Sequence, residues 1–169
     1  MFETPIHWVQ GIEPLRLGLM ARPCGGEALA DEVLGWQRAS VNAVVSLLEA
    51  SEIRELDLKE EPVLCAARGM HFFSFPIADR GAPGSVREFA KLIGELHSLL
   101  LNGRAIVIHC RAGVGRTGLL AACLLHTCGV NEKQCFPLLI RSRGVPMPDT
   151  PEQEAWAQQF CAGRRGVLE

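Results

Sequence analysis

A chain of 169 residues, 48% of them hydrophobic and 21% charged, is long enough for one folded domain with a sizeable core. A formal net charge of −2 offers no basic footprint for nucleic acid or an anionic membrane surface, and no segment has the length of an apolar transmembrane span. Seven cysteines, an odd number without CxxC pairs, argue against both a disulfide framework and a structural zinc site.

Met1-Phe2-Glu3-Thr4-Pro5-Ile6-His7 has neither the basic nor the apolar region of a secretory signal, so a reducing cytoplasm is the expected setting. Two short extended pieces follow, around Ile6-His7-Trp8-Val9 and Leu15-Arg16-Leu17-Gly18-Leu19. Gly25-Gly26 then precede a predicted helix from Glu27 to Arg38, in which Leu29, Val33 and Trp36 recur at helical spacing. Val41 to Leu48 is apolar and β-branched and reads as a buried strand. Glu49 to Leu58 and Pro62 to Arg68 read as short helical turns, and His71-Phe72-Phe73-Ser74-Phe75 as a strand closed by Pro76.

Ser85-Val86-Arg87-Glu88 has the pattern of a capping box, with serine oxygen and glutamate carboxylate serving free N–H groups reciprocally. Val86, Phe89, Ile93, Leu96 and Leu100 then form one apolar stripe, stopped by Asn102-Gly103. Ala105-Ile106-Val107-Ile108 is a buried strand, and Leu119 to Leu125 is rich in helix formers. A helix is predicted from about Glu132 to Arg143, with Pro137 expected to kink it or shift its start. A last helix opens at Thr150-Pro151-Glu152-Gln153, a second capping box, and runs to about Gly163. Strands alternating with helices imply a single α/β domain over residues 1–169, with a mostly parallel or mixed sheet of about five strands flanked by helices.

The segment between the buried strand and the next helix carries the chemistry: His109-Cys110-Arg111-Ala112-Gly113-Val114-Gly115-Arg116-Thr117-Gly118. A helix N-terminus leaves N–H groups unpaired, and Gly113 and Gly115 allow the angles that turn successive N–H groups inward as an anion nest. A nucleotide-binding loop would need lysine before its Ser or Thr, where this chain has Arg116-Thr117. Instead a cysteine stands at the mouth of the nest and an arginine at its far end. Amides, helix terminus and guanidinium together favour the thiolate. Arg116 can hold a tetrahedral oxyanion with two parallel hydrogen bonds in front of it. This is a nucleophile aimed at phosphorus.

The combination of His-Cys, five residues and Arg-Thr-Gly resembles the signature loop of the cysteine-dependent protein phosphatases, especially the small dual-specificity and atypical members. A second segment, Pro76-Ile77-Ala78-Asp79-Arg80-Gly81-Ala82-Pro83-Gly84, follows a strand and centres on an acid. On composition alone Asp79 is equally a turn residue capping its own backbone or a proton donor. Pro-Ile-Ala-Asp-Arg-Gly is similar to the general-acid loop of dual-specificity phosphatases of the kinase-associated kind. The resemblance implies Cys110 as nucleophile, Arg116 and the amides of Arg111, Ala112, Gly113, Val114 and Gly115 as phosphate binders, and Asp79 as general acid. It implies Thr117 as a hydroxyl on the sulfur, His109 as the residue that tunes the thiolate, and a water-orienting role for Gln153 that competes with its capping box. Arg141 and Arg143 read either as charges favoured at a helix C-terminus or as an extension of the positive field. The other cysteines read as packing residues, with Cys65 one candidate to protect an oxidised Cys110.

The implied activity is hydrolysis of phosphotyrosine, and possible phosphoserine or phosphothreonine, in a protein substrate. It runs through a cysteinyl-phosphate with no metal or cofactor, on a chain expected to be monomeric and free of nucleic acid and integral membrane association. Three rivals stay open. A phosphoinositide phosphatase would favour lysines where Ala112 and Val114 stand, a phospho-binding module would need neither thiolate nor acid, and an arsenate reductase or sulfurtransferase would need a second relay cysteine or a shorter loop.

Overall fold

The computed structural model describes residues 2–164. Five strands form one sheet in the order β1-β2-β5-β3-β4: β1 His7–Trp8, β2 Arg16–Met20, β3 Ala43–Ser46, β4 His71–Ser74 and β5 Ala105–His109. β1 pairs antiparallel with β2, and all other neighbours are parallel, so the sheet is mixed as expected. The helices are α1 Leu29–Arg38, α2 Ala50–Glu55, α3 Glu61–Ala67, α4 Val86–Leu101, α5 Gly115–Thr127, α6 Glu132–Arg143 and α7 Pro151–Arg164, with a single 3-10 turn at Gly26–Ala28 before α1.

Alternation along the strands feeds two cores. Leu17, Leu19, Ala43, Val45, Ile106 and Ile108 face a cluster shared with α4, α5, α6 and α7. Met20, Val44 and Val107 face a second cluster with α1 and α3. β5 lies at the centre with all five residues buried, which is why its sequence is a continuous apolar run without alternation. Each such Val or Ile contributes roughly 1.5–3 kcal/mol by leaving water. Both sheet edges are limited: β1 has only two residues, and Pro76 follows soon after β4.

Most predicted elements lie within a few residues of their observed ends, and three differ instructively. The predicted start of the first helix is the 3-10 turn, the α-helix proper beginning at Leu29. At α4 only the serine half of the box is made, Glu88 N–H donating to Ser85 Oγ at 3.1 Å. α6 begins at Glu132 with Pro137 inside it, so of the two expected effects the proline does not shift the start. Asn131 secures that start, its side-chain oxygen accepting from Lys133 N–H at 2.9 Å.

Candidate active site

β5 delivers Cys110 to the carboxyl end of the sheet, where parallel α/β folds place their ligands. The sharp loop 110–114 then feeds α5, a helix buried from Gly115 through Leu125 and held by α4, α6 and α7. Gly113 makes the loop possible. Its φ is +73°, and a Cβ there would lie 2.4 Å from the Met20 carbonyl oxygen at the end of β2.

The carbonyls of this loop are accounted for one by one. Arg111 O accepts from Arg22 N–H at 3.1 Å. Ala112 O accepts from Arg143 Nη2 at 3.0 Å and Gly113 O from Arg143 Nε at 3.3 Å. Cys110 O lies 3.4 Å from His109 Nδ1. In a trans peptide the carbonyl and the following N–H point in opposite directions. Carbonyls 110–113 drawn outward therefore turn the N–H groups of residues 111–114 toward the mouth, which is the nest that the glycine spacing predicts. Arg143 is thus the clamp on this loop, rather than a solvated charge at a helix end.

Cys110 is 2% exposed, and Thr117 Oγ1 donates to its Sγ at 3.1 Å. The Arg116 guanidinium is buried beneath the mouth. Its Nη1 and Nη2 donate to Glu52 Oε2 and Oε1 at 2.8 and 2.9 Å, a two-pronged pair. Nη1 also donates to Ile77 O at 2.9 Å, and Nη2 to Asp79 Oδ1 at 3.1 Å. One guanidinium therefore joins the start of α5, just after the loop 110–114, to α2 and the turn around Asp79. Asp79 is 57% exposed at the rim, in a turn closed by Gly81 N–H donating to Ala78 O at 2.8 Å.

Arg111 points away from the nest to the acids of α2, donating to Glu55 Oε1 at 2.9 Å and lying 3.8 Å from Glu52 Oε1. Gln153 is wholly buried, and its capping box with Thr150 is complete: Gln153 N–H donates to Thr150 Oγ1 and Thr150 N–H to Gln153 Oε1, both at 3.2 Å. Cys65 belongs to the cluster on the opposite face of the sheet from the one that holds Cys110. Burial, with help from the Glu61 charge, pushes its thiol up to about 12. A neutral thiol in that setting is a poor partner for an oxidised Cys110.

A family model described as "Polymorphic toxin system, DSP-PTPase phosphatase" matches residues 18–130, from β2 to just past α5. The chain belongs to this family. Among similar proteins, cyclin-dependent kinase inhibitor 3 of Homo sapiens is 46% identical and that of Sus scrofa 36% identical, each over 87 residues. Those matches cover 50% of this chain and 41% of each relative, so the chain matches under half the length of either. Among solved structures, kinase associated phosphatase with its catalytic-site cysteine replaced by serine superposes with a TM-score of 0.85, covering 99% of this chain and 98% of that one. At 22% identity that likeness concerns the fold.

Two acids of this DSP-PTPase site went unmarked in the sequence. Glu52 orients Arg116. Burial alone would raise its carboxyl, but hydrogen bonds from Arg116 and the Glu49 N–H and the charges of Arg116 and Arg111 outweigh it, and the carboxyl is held below the usual range. Glu61, 1% exposed on α3, meets His109 Nε2 at 2.6 Å through Oε1. That contact fixes the imidazole beneath the cysteine with Nδ1 toward the Cys110 carbonyl. The signal for Glu61 was its i, i+4 spacing with Cys65 on α3, both of them buried.

Proposed function

We propose that the chain hydrolyses phosphomonoesters of proteins, acting on phosphotyrosine and also on phosphoserine and phosphothreonine, through a cysteinyl-phosphate. The observation that carries this reading is one constellation. Cys110 receives a hydroxyl hydrogen bond from Thr117 at the N-terminus of α5, and the buried Arg116 beside Thr117 is joined at 3.1 Å to Asp79 at the rim.

In the first step the Cys110 thiolate attacks phosphorus in line. The S–P bond forms as the bond to the leaving oxygen breaks, and Asp79 gives that oxygen its proton. The loop N–H groups and Arg116 hold the equatorial oxygens, and they hold them better as charge builds there. The phosphate dianion takes over the Arg116 N–H that Asp79 occupies in the resting site. Asp79 is thereby freed to stand over the leaving group as an acid. In the second step water attacks phosphorus, Asp79 accepts its proton, and the S–P bond breaks with Thr117 donating to the departing sulfur. Glu61 and His109 act beneath the cysteine as positioning residues.

A protein substrate is favoured over a multiply phosphorylated lipid because Arg111, the cation within the loop, is engaged by Glu55 and Glu52 and the neighbouring Ala112 and Val114 are neutral. A monomer acting in a reducing cytoplasm without nucleic acid completes the proposal. No helix among the described residues is long and apolar enough to cross a membrane. The test is a panel of phosphopeptides and inositol phospholipids. Wild type should release phosphate from phosphotyrosine peptides, and Cys110→Ser should release none while still binding them. Faster turnover of the lipids than of every peptide would sink the protein-substrate reading.

A further inference from the structure

Gln153 does more than its capping box requires. The box needs only an oxygen, which a glutamate would supply as well and with a charge that suits a helix N-terminus. Here Oε1 is fully used by the N–H groups of Asp149 at 3.1 Å and Thr150 at 3.2 Å, which leaves no clear acceptor for a hydrolytic water. Nε2 crosses to the acid segment and donates to the Gly81 carbonyl at 3.0 Å. The residue is wholly buried at this junction.

The turn it reaches does not hold itself. Ala78-Asp79-Arg80-Gly81 is a hydrogen-bonded turn whose third residue, Arg80, has φ +61°, a conformation that suits glycine or asparagine. Such a conformation persists where its surroundings over-determine it. Arg116 supplies part of that constraint, through the Ile77 carbonyl and Asp79. Its contact to Asp79 is the one that an incoming phosphate would take. The bond from Gln153 to Gly81 involves neither Arg116 nor the Asp79 carboxylate, so a phosphate that takes the Arg116 N–H leaves it in place. α7 is a firm base for it: Phe89, at the start of α4, lies edge-on to Trp156 and Phe160 with ring centroids 4.9 Å from each, and Phe75 packs on Phe89 at 5.8 Å. Both ends of the acid segment are thereby tied to the helix that carries Gln153.

We propose that Gln153 is a positioning residue, the latch that keeps the acid turn over the phosphate loop once phosphate has displaced Asp79 from Arg116. The proposal rests on Asp79 being the general acid. Gln153→Glu isolates the latch, since it keeps the capping oxygen and replaces the donor to Gly81 with an acceptor. Two substrates read it out: p-nitrophenyl phosphate, whose leaving group needs little protonation, and phenyl phosphate, whose leaving group needs much. Gln153→Glu is expected to lower kcat/KM, which reports formation of the cysteinyl-phosphate and not its hydrolysis, by about tenfold or more on phenyl phosphate and by less than about threefold on p-nitrophenyl phosphate. In an Asp79→Ala background it should cause no further loss on phenyl phosphate, because both changes remove one function. Equal losses on the two substrates, no loss on either, or an additive loss without Asp79 would overturn the latch. If Asp79→Ala alone affects both substrates equally, the acid assignment fails first and is seen to fail separately. Should Gln153→Glu not fold, Gln153→Met removes the donor without adding charge and is read on the same pair.

Discussion

Arg116 is a large cation at 1% exposure, and it is tolerable there because Glu52 meets it with both oxygens. Removing one partner of such a pair leaves an uncompensated buried charge. Glu52→Gln should therefore cost about 3 kcal/mol of stability at neutral pH. On the proposed mechanism it should also lower kcat/KM, since Arg116 loses the two oxygens that hold its guanidinium in place. The pH dependence has a definite sign. The folded Glu52 carboxyl titrates below its unfolded value of about 4.3, so its contribution is full above that pH and is lost as pH falls through the lower folded range. Urea midpoints of wild type and Glu52→Gln should thus differ most near neutrality and converge in acid. A difference that stays constant down to the lowest pH at which the wild type folds would contradict this account.

The strand, loop and helix that make the nest were legible because three local signals agree there: a fully apolar run, two glycines and a run of helix formers. Asp79 was legible as a loop acid, although its place over Arg116 depends on a pairing 37 positions away. Glu52 and Glu61 were not, because they sit in a stretch crowded with acids whose partners lie 64 and 48 positions further along the chain. Nor did the sequence reveal that α6 aims Arg143 at two loop carbonyls, or that Gln153 reaches the acid turn. Those contacts come from packing of α6 and α7 around α5, to which local spacing is blind. Within the loop, Gly113 should be the least replaceable glycine. Gly113→Ala places a Cβ against the rigid backbone of β2 as well as in a left-handed conformation that costs roughly 1–2 kcal/mol. It should reduce turnover of p-nitrophenyl phosphate by more than about tenfold, since a misplacement of an ångström at the reacting centre costs that and more. Gly129→Ala, at a helix end with open space around it, is the control for φ alone and should leave turnover near wild type.

Across the whole molecule, the site is clamped from both ends of the chain's fold. α7 holds the acid turn, while the opposite sheet edge reaches the phosphate loop through a relay: His7 on β1 faces Arg143 Nη1 at 3.3 Å, and Arg143 grips Ala112 and Gly113. A guanidinium only donates, so His7 Nε2 must be the acceptor and the imidazole neutral. Burial first, and the Arg143 charge second, hold His7 below the usual histidine range. Because its folded value lies below the unfolded one of about 6.5, the neutral ring stabilises the fold fully above that pH, and the contribution fades as pH falls through the folded value. His7→Gln keeps an acceptor that does not titrate. Its Tm should match wild type near pH 8, and wild type should become the less stable of the two as pH falls toward 5. The same pair, compared in p-nitrophenyl phosphate turnover, should diverge over that interval in the same direction. Protonating His7 repels the guanidinium that keeps the loop carbonyls turned out and the amides turned in. Parallel Tm curves for the two proteins from pH 8 to 5 would mean that Arg143 holds the loop without His7, and that the sheet edge is no part of the site.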